Sequence, residues 1–346
     1  MEFRTLDKTF EFVGIIIPIN LQWNRKYYEL GDFVITIPIA QYHSNVRYIS
    51  CNERDELGVV NKVSYSKTDD TVEISGYFAE SLLNFGDTYP TFYGSGEITS
   101  VLKTMIETYQ VDVDNLWRVY DIVALETGEK VDFQSTGDEL ATKLYEVLKT
   151  QQMSFRLVYD FEQAHIKVEF FKGKDMTQSA NGDTFVSFTT AKGNIIDPVI
   201  YIDDSNYKNY AVVAGSGEAD ERIYVEVDQR QEGEGIRKLF IDERGTQYNS
   251  SEQTLDQYKL ELKQKGIEKL QEYQKITNVD FSVYSGGYQY MKDFDIGTKC
   301  DIIIENVGLS IEARIIAIYE AFQNGKHTIE IEVGDKVPTS LDKVRR

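Results

Sequence analysis

Residues 57–77 read Leu57-Gly58-Val59-Val60-Asn61-Lys62-Val63-Ser64-Tyr65, then Ser66-Lys67-Thr68-Asp69-Asp70, then Thr71-Val72-Glu73-Ile74-Ser75-Gly76-Tyr77. Two runs rich in β-branched and aromatic residues flank a polar corner, which is the pattern of a β-hairpin. Upstream, residues 10–19 form an apolar run, and residues 27–39 mix alternation with β-branched residues. Short sequential strands joined by turns predict an antiparallel sheet or small barrel over residues 1–88.

The character changes over residues 89–190. Ile98, Val101, Leu102, Met105, Ile106 and Tyr109 recur at helical spacing, giving one apolar stripe. Thr136 and Glu139 have capping-box spacing ahead of a second apolar face, Leu140, Leu144, Val147 and Leu148. Strands are expected over 154–159 and 164–170, around Asp160-Phe161-Glu162-Gln163. Helix followed by hairpin predicts an inserted α+β unit.

Strands return over residues 191–248, where 210–214 and 222–227 flank a glycine-rich turn, Gly215-Ser216-Gly217-Glu218-Ala219-Asp220. A helical insert is expected over 249–279, with Ser250 and Gln253 as its capping box and Gly266 as a weak point. Residues 280–335 are strand again, with turns at Ser285-Gly286-Gly287 and Gln323-Asn324-Gly325. Asn-Gly between alternating runs is a strong hairpin signal. Residues 336–346 read as a mobile tail. The fold class is therefore mainly β with α+β inserts: a small antiparallel β-barrel at each end, the second made of residues 191–248 and 280–335.

Composition supports this and limits function. Of 346 residues, 41% are hydrophobic, enough for real cores. The aromatics are mostly Tyr (23) and Phe (18), which suit pleated surfaces better than helix bundles. Against 37 basic residues stand 57 acidic ones, a formal charge of −20. Such a surface repels phosphate backbones, so conventional nucleic-acid binding is disfavoured. Cys51 and Cys300 stand far apart, in no metal or disulfide pattern. No apolar run approaches the length of a membrane span, and Met1-Glu2-Phe3-Arg4 does not open a signal peptide. Synthesis and retention in a cytoplasm are expected.

Chemistry-bearing motifs are scarce. His43, His165 and His327 lie in different regions without a partner ligand at metal spacing. Gly215-Ser216-Gly217 precedes a strand and not a helix, so it reads as a turn and not as a dinucleotide fingerprint. Asp112-Val113-Asp114-Asn115 resembles the start of a calcium loop but lacks its glycine and closing glutamate. Asp69-Asp70 and Asp203-Asp204 read as turn residues. Trp23, Tyr27, Tyr28 and Phe33 cluster, as do Tyr284, Tyr288 and Tyr290; both packing and a carbohydrate platform would use such clusters, packing more often. The expectation is a non-enzymatic protein with no catalytic, cofactor or metal residues; the rival reading is a cell-wall hydrolase or carbohydrate-binding protein.

Several stretches resemble a family of siphophage and prophage tail proteins related to baseplate hubs and to the N-terminal region of tail-associated lysins. The first is Leu21-Gln22-Trp23-Asn24-Arg25-Lys26-Tyr27-Tyr28-Glu29-Leu30-Gly31-Asp32-Phe33, followed by Gly58-Val59-Val60 and Ile74-Ser75-Gly76-Tyr77. The second is Asn209-Tyr210-Ala211-Val212-Val213-Ala214-Gly215-Ser216-Gly217-Glu218, with Arg222 after it. The third runs from Asp295-Ile296-Gly297-Thr298-Lys299-Cys300-Asp301-Ile302 to Ala313-Arg314-Ile315-Ile316-Ala317-Ile318-Tyr319-Glu320 and closes on Glu332-Val333-Gly334. Thr298 departs from the family pattern, which usually has an acidic residue there. Residues 86–190 match only in general character.

The resemblance implies a virion structural protein of a tail tip: a hub of two small β-barrels with α/β elements outside them. Three copies would form a ring whose six barrels imitate the six-fold tail tube. Implied partners are other copies of itself, a tail tube or distal tail protein, and a tip spike, fibre or tail lysin, with DNA only passing through the lumen. An acidic lumen would let DNA pass where a basic one would hold it. Lytic relatives carry that activity in extra C-terminal domains, and none is expected before Arg346.

Overall fold

The computed structural model describes residues 2–111, 119–162, 165–218, 221–251, 253–284, 287–323 and 325–334. The first region comprises β1 (Phe3–Leu6), β2 (Phe12–Ile16), β3 (Asn20–Lys26), β4 (Asp32–Pro38), β5 (Tyr48–Ser50), β6 (Leu57–Ser66) and β7 (Thr71–Phe78). They pair in the order β3-β4-β7-β6-β5-β1-β2. The hairpin expected at 57–77 is present, with Ser66 paired to Thr71. The strand expected over 27–39 begins only at Asp32, because Tyr27 to Gly31 form the connection from β3.

β4 alternates strictly, burying Phe33, Ile35 and Ile37. These meet Phe3 and Ile16 from the other end of the strand order, and the Phe3 and Trp23 rings lie 5.4 Å apart. The sheet therefore curls around one core, but the expected barrel is not closed by hydrogen bonds: no ladder joins β2 to β3. The linking residues use their donors elsewhere. Ile17 N–H donates to Gln41 Oε1 (2.7 Å), Pro18 has no N–H, and Ile19 N–H donates to the Thr36 carbonyl (2.8 Å).

A 3-10 helix, Ala79–Phe85, leads into β8 (Phe92–Glu97), α1 (Ile98–Tyr109), β9 (Val119–Val123), β10 (Lys130–Ser135), α2 (Leu140–Lys149), β11 (Ser154–Asp160), β12 (His165–Phe171) and the short α3 (Gln178–Asn181). α1 follows its apolar stripe and is capped by Glu97, which accepts from Ser100 N–H. The capping box expected at Thr136 and Glu139 is absent. Glu139 is itself the N-cap residue, and Thr136 bonds Thr91. Instead Asn84 Oδ1 reaches across from the 3-10 helix to accept from Ala141 N–H (2.8 Å) and Thr142 N–H (3.3 Å), satisfying donors that a helix start leaves open. The insert shares its core with the first sheet through Leu6, Tyr48 and Leu57. Phe10, held at φ 63°, stacks between Tyr48 and Tyr159 at 4.4 and 4.5 Å.

Next come β13 (Ser187–Thr189), β14 (Ile195–Asp203), β15 (Tyr210–Ala214), β16 (Tyr224–Asp228), β17 (Lys238–Asp242) and α4 (Leu255–Gln271). β16-β15-β17 form a separate three-stranded sheet packed against α4. The α4 capping box uses Thr254 and Gln257 rather than Ser250 and Gln253: the pattern of a hydroxyl residue three before a glutamine recurs four positions later, where the apolar face begins. Gly266 is a close approach rather than a weak point, since a Cβ there would lie 2.7 Å from Val227 Cγ2 and 2.8 Å from Val213 Cγ2.

The chain closes with β18 (Ile276–Val283), β19 (Lys299–Ile304), β20 (Leu309–Gln323) and β21 (Lys326–Gly334). These order as β14-β18-β21-β20, with β19 on β20 and β13 on β19, around a core containing Phe188, Phe281 and Ile318. Again the curl is open, between β13 and β14. Asn194 bridges the gap, accepting from Thr189 N–H (2.7 Å) and donating to the Ser187 carbonyl (2.9 Å). β20 and β21 pair down to Gln323 and Lys326; Asn324 of the expected hairpin turn, Ser285, Gly286 and the tail 336–346 lie outside the described residues.

The two curled regions are not separate. β20 pairs with β3 over seven positions, from Ala317–Lys26 to Gln323–Asn20, so one thirteen-stranded sheet runs through both.

Candidate functional site

Two features follow from that joint. The first is a buried polar seam. In β3, Leu21, Trp23 and Arg25 point inward. Trp23 fills core space with Phe3, Phe33 and Phe78. Arg25 is 3% exposed, so its charge needs partners. It bonds Glu56 (2.5 Å) from the first region, Asp295 from the last, and the Tyr290 hydroxyl (3.1 Å). Burial alone would lower the guanidinium's pKa, but these acids hold it well above the ordinary value. Alongside, Arg54 forks onto fully buried Glu320 of β20 at 3.0 and 2.5 Å, and His327 of β21 reaches the same carboxylate at 2.8 Å.

Tyr27 anchors the other end of the seam. Its ring is fully buried, and its hydroxyl donates to the Gln152 carbonyl (3.0 Å) and accepts from Gly173 N–H (3.0 Å). Its own N–H donates to Ile316 of β20 (2.9 Å). Arg314 lies over the ring, 5.5 Å from its centroid, and donates to the Gly297 carbonyl (2.5 Å) and Gln152 Oε1 (3.3 Å). Gly297, at φ 82°, leaves room for the ring. First sheet, insert and last sheet thus meet at one phenol.

The second feature is the opposite face of the sheet. Directly paired residues share a face, so the ladders place Ser282, Glu330, Tyr319, Asn24, Asp32 and Tyr77 in one row across β18, β21, β20, β3, β4 and β7. The next row carries Thr328, Ala321, Gln22, Val34, Ser75 and Lys62. Asn, Gln, Ser and Thr dominate this face. Its acids are Asp32, Glu73, Glu330, Asp280 and Glu332; its lysines are Lys26, Lys62 and Lys326, with no arginine among the described residues of these rows. Lys26 is already 3.4 Å from Asp32. Tyr319 donates to Glu332 (3.0 Å), and burial beside that carboxylate pushes the phenol up strongly.

The residues considered from sequence distribute simply. Trp23, Tyr27 and Phe33 are buried, and Tyr288 packs on Phe188 at 5.6 Å, so these aromatics pack a core instead of forming a platform. Tyr284 is half exposed. Gly215-Ser216-Gly217 turns from β15 towards β16, and Ser216 N–H donates to Tyr258 of α4 (2.7 Å). Arg222 braces that turn through the Ala214 and Gly215 carbonyls and Asp242. Asp69-Asp70 occupy a turn, Asp70 at φ 53°, whereas Asp203, expected in a turn, ends β14 paired with Ile276, and only Asp204 opens the turn beyond it, its carbonyl accepting from Tyr207 N–H (3.1 Å). His43 packs near Gly14, His165 opens β12, and His327 belongs to the seam; the three are not brought together. Asp112 to Asn115 lie outside the described residues. Among the described residues, no group of three or more His, Cys, Asp or Glu is placed to hold a metal ion. Glu320 closes one of the stretches that carry the resemblance, but sequence reading missed Glu56, Gln152, Gln41 and Asn194; only Arg54-Asp55-Glu56, a charge cluster abutting an apolar strand, gave a signal.

Comparison with known proteins agrees with this architecture. A prophage tail protein, gp18 of Listeria monocytogenes EGD-e, superposes with a TM-score of 0.61 at 14% identity, covering 100% of this chain and 98% of that one. The tail protein of Neisseria meningitidis MC58 gives 0.60 at 10% identity over 96% of both chains. The 43 kDa tail protein of prophage MuSo2 from Shewanella oneidensis gives 0.58 at 14%, covering 96% and 98%. No curated protein matches the sequence. At such identities the likeness is one of fold. The family described as Siphovirus ReqiPepy6 Gp37-like protein matches residues 2–335, a span that takes in Trp23, Arg25, Tyr27, Gly297 and Arg314 of the seam, and the chain belongs to that phage tail protein family.

Proposed function

We propose that this protein is a hub-like adaptor of a phage or prophage tail tip, working by assembly and not by catalysis. The observation that carries the reading is the continuous sheet: one wall with cores on one side and, across β18, β21, β20, β3, β4 and β7, a mainly polar face on the other that has no arginine among its described residues. Such a face suits passing DNA, because it neither neutralises phosphates nor releases their counterions.

Among the described residues, no strand pairs with the outer edge of β2 or of β14, and both strands expose apolar residues: Phe12 and Ile15 at β2, Val199 and Tyr201 at β14. Open edges of this kind invite pairing with another chain. A contact from the β2 end of one copy to the β14 end of the next is head-to-tail and closes into a ring when the rotation permits. Three copies, as the resemblance implies, would enclose a lumen lined by the polar face, with a tail tube or distal tail protein on one side and a spike, fibre or lysin on the other.

Disulfide trapping tests this directly. Ile15→Cys and Val199→Cys together, oxidised at high protein concentration, should give a covalent species of three chains, while either substitution alone gives none. Cys51 and Cys300 are buried and contribute little background. Trapped dimers only, or open ladders without a three-chain end point, would defeat the ring.

A further inference from the structure

We propose that Glu80 is a pH-sensitive clasp between the first sheet and the insert, holding them together when its carboxyl is neutral and letting them part when it ionises. Glu80 sits in the 3-10 helix Ala79–Phe85 and is 4% exposed. Its Oε1 accepts from Leu157 N–H at 2.8 Å. Among the described residues, β11, which carries Leu157, has β12 as its one ladder neighbour, so Glu80 caps an edge against which no described strand lies. The carboxyl acts as a single rung of sheet, made by a side chain.

The surroundings determine which charge state fits. Glu80 borders a small cavity shared with Arg25, Lys26, Glu56, Tyr145 and Arg156. Three cations look ample, yet each is already taken. Arg25 serves Glu56 and Asp295, Lys26 faces Glu29 and Asp32, and Arg156 serves Asp55 and Glu169. From α2, Tyr145 faces Glu80 as a neutral phenol, and Glu56 adds a further negative charge. On β7, Glu73 points to the open face. An ionised Glu80 would therefore be an additional buried anion with no cation of its own, whereas a neutral one keeps the Leu157 bond without that penalty. Burial, reinforced by Glu56 and only partly offset by hydrogen bonds from the backbone N–H groups of Leu157 and of Glu80 itself and by Arg156, pushes this carboxyl up to about 7.

The closed arrangement favours the protonated acid. Its contribution is full below the ordinary carboxylate range and is lost as pH rises towards and past 7. Opening returns the group to water and its ordinary value of 4.5. By linkage, the opening equilibrium then increases about tenfold between pH 6 and pH 8.

Hydrogen exchange at Leu157, corrected for intrinsic rates, measures that equilibrium. The wild-type chain should show the tenfold rise. Glu80→Gln keeps the accepting oxygen and cannot ionise, so its opening should be flat across the same range. Equal pH slopes in both proteins would overturn the proposal. If the variant does not fold, carbon-13 titration of the Glu80 carboxyl in the wild-type chain decides: a midpoint near 7 supports the clasp, and one near 4.5 refutes it. Neither measurement depends on ring assembly, so the clasp and the hub stand or fall separately.

Discussion

Gly297 and Tyr27, 270 residues apart in sequence, fit as a bare backbone against a ring: a Cβ on Gly297 would lie 2.3 Å from Tyr27 Cε2. The same glycine adopts φ 82° and offers its carbonyl to Arg314. Any side chain here meets two penalties, strain and overlap with a ring that cannot retreat because its hydroxyl is tied to Gln152 and Gly173.

Gly297→Ala should therefore destabilise the fold by about 3 kcal/mol or more. Gly308→Ala is the control: it also has positive φ (66°), but nothing lies within 4 Å of a Cβ there, so it should cost only about 1 kcal/mol. Chemical denaturation of both variants measures the difference. Equal losses would mean that the overlap with Tyr27 is relieved at little cost.

Arg25→Met removes the cation but leaves Glu56 nearly buried beside the core. A loss of about 3–5 kcal/mol is expected. Adding Glu56→Gln should restore part of it, since the second change removes the stranded charge. A double-mutant cycle in denaturant gives the coupling, and strictly additive losses would show that the pair acts independently.

The two bridging amides should differ. Asn194 is 7% exposed and serves two backbone groups, so Asn194→Ala should cost about 2–3 kcal/mol. Gln41 bonds Ile17 N–H in an exposed setting where water can replace it, so Gln41→Ala should cost less than about 1 kcal/mol. The order of the denaturation midpoints checks this.

Reversing charge on the open face should create DNA affinity. Glu73→Lys with Glu330→Lys should convert a protein that does not retain duplex DNA at low salt into one that does, with retention fading as salt rises. Filter binding across a salt series measures it. Retention by the unaltered protein would contradict a wall that lets DNA pass.

Local patterns were legible in the sequence. The 57–77 hairpin and α1 declare themselves because every residue needed to specify them lies within them. The start of α2 misled because its cap, Asn84, is 57 residues away from Ala141, a competitor that no local window contains. α4 was displaced by four residues because Ser250 and Thr254 both satisfy the same spacing rule, and the buried face selects the second. The seam was half legible. The stretches that carry the resemblance contain Arg25, Tyr27, Gly297, Arg314 and Glu320, but Glu56 and Gln152 join them only through the curl of the sheet. The closed barrels failed for a plain reason: Gln41 and Asn194 satisfy backbone groups that a last ladder would have used.

The pairing of β3 with β20 also decides how the molecule bears load. A tether between two bodies stretches when they are pulled apart, and its weakest bond gives way first. Seven paired positions loaded along the strands must shear together, so tension applied to one half reaches the other without slack. A component built this way transmits a mechanical pull or twist as one stiff piece, and its compliance resides in the parts attached to the sheet rather than in the sheet itself.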